Sequence, residues 1–150
     1  AAVHKVPIIL MHMQGQPRTM QDSPTYSNVV QEVAEFLHAR VEAARSAGVD
    51  KVYVDPGIGF GKTLDHNLEL LRSIEHLAGI APVVLGLSRK RFLGAITGEE
   101  TPEDRDAATV VVHSLLAEKN IDTIRVHNVA MHEQLRRLYH ALHGADHIHE

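Results

Sequence analysis

Asp55, Ser88, Lys90, Arg125 and His127 are the side chains whose types and setting could do transfer chemistry. A carboxylate accepts paired N–H donors. A guanidinium matches phosphate oxygens with two parallel hydrogen bonds. An ammonium, an imidazole and a hydroxyl complete a polar set that a transfer enzyme could use. Each belongs to a polar cluster that follows a short apolar run. Ile8-Ile9-Leu10 leads into Met11-His12-Met13-Gln14-Gly15, and Val52-Tyr53-Val54 leads into Asp55-Pro56-Gly57-Ile58-Gly59-Phe60-Gly61-Lys62. Val83-Val84-Leu85-Gly86-Leu87 leads into Ser88-Arg89-Lys90, and Thr123-Ile124 leads into Arg125-Val126-His127-Asn128. In parallel α/β proteins the chemistry sits at the carboxyl ends of the strands, ahead of the helices. Four such ends in one chain suggest one assembled site, with Asp55, Lys90, Arg125 and His127 converging on a single cleft.

The elements that must position these residues are legible. From Asn28 to Ala47 apolar residues recur at helical spacing (Val29, Val33, Phe36, Leu37, Val41, Ala44), and Gly48 is a plausible stop. A second helix is expected to start near Asp65 with Leu68, Leu71, Ile74 and Leu77 inward, ending before Gly79 and Pro82. Thr101-Pro102-Glu103-Asp104 is a helix-start signal, with Ala108, Val111, Leu115 and Leu116 expected inward. The last helix is expected from Met131 to His143, stopping at Gly144, with 145–150 a disordered tail. The strands are short and apolar on both faces, as in a parallel sheet covered by helices. Four β-α units fit either a doubly wound sheet or half of a (β/α)8 barrel, which takes ~250 residues.

Composition sets bounds. The chain has 150 residues, 44% hydrophobic and 23% charged, enough for one domain with a core. A formal net charge of -4 leaves no nucleic-acid footprint. With no cysteine there is no disulfide framework or thiolate metal site, which is compatible with a cytoplasmic setting. No apolar run reaches membrane-spanning length, and no signal peptide is read at the start. His140, His143 and His147 have metal-compatible spacings but read as a solvated helix face, and His12 reads as a packed core histidine.

The glycine-rich segment fails two commoner readings. A P-loop needs a glycine where Pro56 stands, although Gly61-Lys62-Thr63 fits its end. A dinucleotide fingerprint needs G-x-G-x-x-G, whereas Gly57, Gly59 and Gly61 are two apart throughout. What remains is a backbone-accessible loop beside Asp55, with Lys62 read as a solvated or structural residue outside the site.

Met11-His12-Met13-Gln14-Gly15-Gln16-Pro17-Arg18-Thr19-Met20-Gln21 resembles a motif of the dihydropteroate synthase family. So do Asp55 to Thr63 followed by His66-Asn67-Leu68, Ser88-Arg89-Lys90 with Leu93-Gly94, and Arg125-Val126-His127. The motifs stand in family order across nearly the whole chain. The resemblance implies a (β/α)8 TIM barrel of which residues 1–144 carry strands five to eight. It implies condensation of 6-hydroxymethyl-7,8-dihydropterin pyrophosphate with p-aminobenzoate, releasing pyrophosphate in folate biosynthesis. Pyrophosphate leaves first in this family, and the aromatic amine then attacks the pterin methylene cation.

The same resemblance implies the residue roles. Asp55 accepts from the pterin N–H groups, with Met13, Phe60, Gly86, Lys90 and Arg125 around the ring. Ser88, Arg125 and His127 face the pyrophosphate and p-aminobenzoate, and Lys90, Arg125 and His127 are the catalytic set. Mg2+ is expected with the pyrophosphate, held by an Asn in a first-strand loop that has no counterpart in this chain. The second flexible loop of the family and the first-half Asp and Asn of the pterin pocket are likewise missing. Family members are usually homodimers through their last helices, for which the helix after Thr101 and the helix bearing Leu135 and Leu138 are candidates. A pterin-binding methyltransferase-type barrel and a non-catalytic half-barrel are the competing readings. One further departure is small: the family usually has Asp after the last motif's His, whereas this chain has Asn128.

Overall fold

The computed structural model describes residues 1–144, so the tail read as disordered and His147 within it lie outside the described residues. The elements are β1 (Ile8–Met11), α1 (Val29–Ser46), β2 (Val52–Asp55), α2 (Leu64–Arg72), α3 (Ile74–Ala78), β3 (Val84–Leu85), α4 (Arg91–Thr97), α5 (Asp106–Leu115), β4 (Thr123–Ile124) and α6 (Val129–His143). They fall into two compact units. The first contains Ala1–Gly86 and Lys119–Ile124, and the second contains Leu87–Glu118 and the chain from Arg125 onward.

All four strands belong to the first unit and all pair in parallel. β1 pairs with β2 from Ile8↔Val52 to Met11↔Asp55, and β3 pairs with β4 through Val84↔Thr123 and Leu85↔Ile124. An isolated parallel bridge, Val54↔Val83, joins the two ladders. The strand order is therefore the chain order, and every strand leaves the sheet at the same edge. His12, Pro56, Gly86 and Arg125 are the residues that immediately follow the four strand ends.

The helix covering β1 and β2 forms as its sequence dictates. Asn28 caps α1 by accepting from the Gln31 N–H at 2.9 Å, while Glu32 Oε1 accepts from the Ser27 and Asn28 N–H groups. Val29, Val33, Ala34, Leu37 and Val41 form its buried face. Burying an aliphatic side chain of this size stabilises the fold by roughly 1.5–3 kcal/mol.

The next helix departs from expectation. It starts one residue before Asp65, because Thr63 and His66 form a reciprocal capping box. It then breaks at Ser73 into α2 and α3. Leu71, Ile74 and Leu77 are buried as expected, but Leu70 takes the inward place expected for Leu68, which is only half-buried.

Two further corrections concern faces. The sheet is not covered on both sides: Ile9 is 55% and Ile124 39% exposed, and Pro7, Ile9, Tyr53, Val84 and Thr123 line an open apolar hollow on the first unit. In the second unit α5 turns a polar face inward. Arg105, Thr109 and His113, four residues apart, are buried, whereas Val111 and Leu115 are 57% and 77% exposed. The helical period agrees with the sequence pattern but its phase differs, because Arg105 and Thr109 find hydrogen-bond partners here and His113 Nδ1 meets His132 Nε2 at 2.8 Å, while His113 Nε2 is buried without a partner among the described residues. The helix also starts later than the capping signal at Thr101, after a 3-10 turn over Glu103–Arg105, and α6 starts at Val129 on an Asn128 cap rather than at Met131.

Candidate active site

The first unit presents Met13, Asp55, Phe60 and Gly86, and the second presents Ser88, Lys90, Arg125 and His127. Asp55 ends β2 and is 7% exposed. Its carbonyl accepts from the His12 N–H at 3.0 Å, and its Oδ1 accepts from the Gly57 N–H at 2.7 Å. The carboxylate is thus aimed by its own following turn.

That turn is fixed by more than its glycines. Gly57 has φ +67°, and a Cβ there would lie 1.8 Å from the His12 carbonyl oxygen. Gly61 has φ +63°, and its Cβ would lie 2.5 Å from the Gln14 carbonyl oxygen. Only glycine allows both the left-handed backbone and this approach of two loops. Side chains complete the frame. Asn67 accepts from the Gly59 N–H and donates to the Thr63 carbonyl, both at 2.7 Å. Gln21 donates to the Gly59 carbonyl, and the Tyr26 hydroxyl donates to the Gly61 carbonyl at 2.8 Å.

Lys62 is not solvated. It is 3% exposed, and its ammonium donates to the Gly57 carbonyl at 3.1 Å and the Phe60 carbonyl at 3.0 Å, with His12 Nδ1 at 3.0 Å. Three donors meet three acceptors, which is how a buried ammonium is made tolerable. The structural alternative for Lys62 holds. His12 packs edge-on against Phe36 at 5.0 Å, a core histidine as read from sequence, and burial with Lys62 beside it pushes its pKa down to about 4. The neutral ring keeps the lone pair that receives the ammonium.

In the second unit the structure brings Ser88 and His127 together. The His127 N–H donates to Ser88 Oγ at 3.1 Å, and Ser88 Oγ lies 2.9 Å from His127 Nδ1. The hydroxyl donates to Nδ1 or accepts from it according to the ring tautomer, and either way the contact ties the two loops together. Ser88 is buried, whereas His127 and Arg125 are exposed. Lys90 caps the start of α4 with extended backbone and is half-buried.

Between Ser88 and Lys90, Arg89 has φ +60°, a left-handed conformation rare for a residue with a side chain. Four contacts hold it there. Its N–H donates to Thr109 Oγ1 at 3.2 Å, and its carbonyl accepts from Arg105 at 3.1 Å. Its guanidinium forks onto Asp106, with Nε 2.8 Å from Oδ1 and the second bond at 3.0 Å. Asp106 also accepts from Asn128 Nδ2 at 2.9 Å, while Asn128 Oδ1 caps α6 through the Met131 N–H. Hydrogen bonds from Arg89, then Asn128, hold the Asp106 carboxyl down at about 2. Asn128 is therefore both donor and cap; a carboxylate at this position could cap but not donate.

The strained backbone at residue 89 has a measurable consequence. Arg89→Gly is expected to unfold at a higher midpoint than Arg89→Ala, although both lose the fork. The gap expected is about 1 kcal/mol, the penalty an L-residue carries in this conformation. Chemical denaturation measures it, and equal midpoints would show that the loop relaxes.

Sequence reasoning missed Arg89, Arg105, Asp106 and Asn67 as determinants of the site. Arg89 and Asn67 lie within motifs already singled out, and Arg105 and Asp106 lie just after the Thr101-Pro102-Glu103-Asp104 signal, but nothing in their types says which neighbour each one grips. Among the described residues no group of three or more His, Cys, Asp or Glu could hold a metal ion. No helix among them is long and apolar enough to cross a membrane.

Parallel strands in chain order, each leading into a polar cluster, are the arrangement of α/β folds that carry their residues at strand ends. Residues 1–127 match the pterin binding enzyme family, and the chain belongs to it. Its relatives include dihydropteroate synthases. The chain is 39% identical over 145 residues to that of Synechocystis sp., covering 95% of this chain and 50% of the relative. It is 41% identical over 140 residues to that of Haemophilus influenzae, covering 91% and 50%. The crystal structure of the Thermus thermophilus synthase in complex with 4-aminobenzoate superposes with a TM-score of 0.91 at 42% identity, covering 95% of this chain and 56% of that one. The Xanthomonas albilineans synthase in complex with 7,8-dihydropteroate gives 0.85 at 41% identity, covering 94% and 52%. The synthases are a TIM-barrel family, and the chain spans about half the length of the curated relatives it matches.

Proposed function

We propose that this chain is the pterin- and diphosphate-handling half of a dihydropteroate synthase, strands five to eight of its (β/α)8 barrel. The reaction joins 6-hydroxymethyl-7,8-dihydropterin pyrophosphate to p-aminobenzoate. The observation that carries this reading is the four parallel strands in chain order, whose carboxyl ends lead into the Asp55, Ser88-Lys90 and Arg125-His127 clusters. Membership of the family and the two ligand-bound relatives support it.

Asp55 is assigned the pterin N–H donors, with Met13, Phe60 and Gly86 beside the ring. Lys90 lies between the pterin and the p-aminobenzoate. Ser88, Arg125 and His127, all of the second unit, are assigned the diphosphate. Breaking the methylene C–O bond sends its electron pair to the diphosphate, where Arg125 and the imidazole of His127 stabilise the growing charge. The aromatic amine then forms the C–N bond and gives up one proton. It is already uncharged at neutral pH, so no strong base is needed. Among the described residues no group of three or more His, Cys, Asp or Glu could hold a magnesium ion, and no step is assigned to the metal.

Two consequences concern association. The open apolar hollow over Ile9 and Tyr53 is the face that the other strands of a barrel would fill. The exposed Val111 and Leu115 on α5 and Leu138 and Leu142 on α6 support a homodimer through these helices. Sedimentation of the chain is expected to show self-association at high concentration, and a strict monomer would remove the dimer.

The division of labour is tested by calorimetric titration of each ligand. Asp55→Asn puts a misplaced donor against the pterin and is expected to weaken its binding roughly tenfold or more while sparing pyrophosphate. Arg125→Ala and His127→Ala are expected to weaken pyrophosphate more than pterin. Equal losses of both ligands in all three variants would remove the assignment.

A further inference from the structure

The diphosphate residues Ser88 and His127 sit on two separate loops, one after β3 and one after β4. Something must hold those loops in register, and the second unit contains a closed ring that does so. Ser88 bonds to His127. His127 is followed in the chain by Asn128, which donates to Asp106 at 2.9 Å. Asp106 receives the fork of Arg89 at 2.8 and 3.0 Å, and Arg89 is bonded in the chain to Ser88. The ring has two covalent links and three hydrogen-bonded ones. It also stores a left-handed residue at position 89, which persists only where the surroundings over-determine it.

From this geometry we infer that the Arg89–Asp106 pair is a positioning device for the diphosphate-binding residues, setting Ser88 and His127 without touching substrate. It rests on the diphosphate assignment above. Asp106 is packed between the charges it needs. Arg89 forks onto it, Asn128 donates to it from the start of α6, and Glu103 reaches only Arg89, at 3.3 Å. The pair is partly shielded, with side-chain exposures of 24% and 15%, so water competes weakly for the fork.

The test titrates inorganic pyrophosphate and, separately, 6-hydroxymethyl-7,8-dihydropterin into the 150-residue chain and its variants, with circular dichroism and thermal midpoint recorded for each. Asp106→Ala and Arg89→Ala are each expected to weaken pyrophosphate binding about tenfold, the effect of losing one charge-assisted hydrogen-bonded pair. Pterin binding is expected to change less than about twofold. The double variant is expected to bind pyrophosphate no more weakly than the worse single variant, because both substitutions open the same ring. Asp106→Asn, which keeps the shape but cannot accept the whole fork, gives an intermediate loss and serves if an alanine variant does not fold. A merely structural role would lower both affinities in step with the thermal midpoint, and that pattern overturns the inference. Unchanged pyrophosphate affinity in folded single variants overturns it too and leaves the diphosphate assignment standing. Failure of the unsubstituted chain to bind pyrophosphate overturns that assignment and the inference with it.

Discussion

Acidification from pH 6.5 to 4 will destabilise the fold through two buried histidines. His12 and His113 are 7% and 3% exposed, and burial pushes the pKa of each down to about 4. Lys62 adds to the effect at His12 and His132 at His113. The unfolded chain binds these protons near the ordinary 6.5, before the folded chain does. The stability from each neutral histidine is therefore fully present above pH 6.5. It falls as pH drops from 6.5 to 4, and no more is lost below that. At ~1.4 kcal/mol per pH unit each histidine accounts for roughly 3 kcal/mol. A second, lower window follows from Asp106, whose depressed pKa of about 2 means its contribution is lost only as pH falls below 3.8. Urea unfolding followed across pH measures both. In His113→Leu the slope between pH 6.5 and 4 is expected to be about half as steep. An unchanged midpoint over that interval in the parent chain would contradict the neutral, buried state of both rings.

Gly57→Ala is expected to damage the Asp55 loop, the proposed pterin side, more than any other single methyl group. The new Cβ would stand 1.8 Å from the His12 carbonyl oxygen, and that oxygen is backbone at the end of β1. It cannot rotate away as a side chain could. The backbone at φ +67° adds its own penalty of ~1–2 kcal/mol. Relief requires the loop to lift off β1. That breaks the bond from Gly57 to Asp55 Oδ1 and the bond from Lys62 to the Gly57 carbonyl. A total loss of about 3 kcal/mol or more places this among the exceptional single substitutions. Pterin titration of folded material is expected to show a greater loss than pyrophosphate titration. A variant with parental midpoint and parental pterin affinity would show that the glycine is dispensable.

What was legible in the sequence was whatever depends on local pattern. The strand ends, the α1 face from Val29 to Val41 and the Gly144 stop follow from period and capping chemistry, and the structure agrees. The phase of α5 did not follow, because Val111 and Leu115 carry a stronger hydrophobic signal than Arg105, Thr109 and His113. Hydropathy cannot see that Arg105 finds the carbonyls of Arg89, Glu99 and Glu100. Lys62 shows the same limit: a lysine beside three glycines looks solvated until the acceptors for its three protons are known. The uncovered sheet face was hidden for a different reason. Ile9 and Ile124 carry apolar character suited to burial, and sequence does not say what buries them. Asp55, Ser88, Lys90, Arg125 and His127 stand out as candidates by their places after apolar runs, whereas the Arg89–Asp106–Asn128 frame linked to Ser88 and His127 does not.

The most direct measurement is pyrophosphate release from 6-hydroxymethyl-7,8-dihydropterin pyrophosphate and p-aminobenzoate by the purified 150-residue chain. It is made with and without a first-half fragment of a family barrel added in trans. Release that is slight for the chain alone, appears with the fragment and is lost in Arg125→Ala is the expected result. No release with the fragment present would contradict the synthase function, and full turnover by the chain as an isolated monomer would contradict its assignment as half of the catalytic barrel.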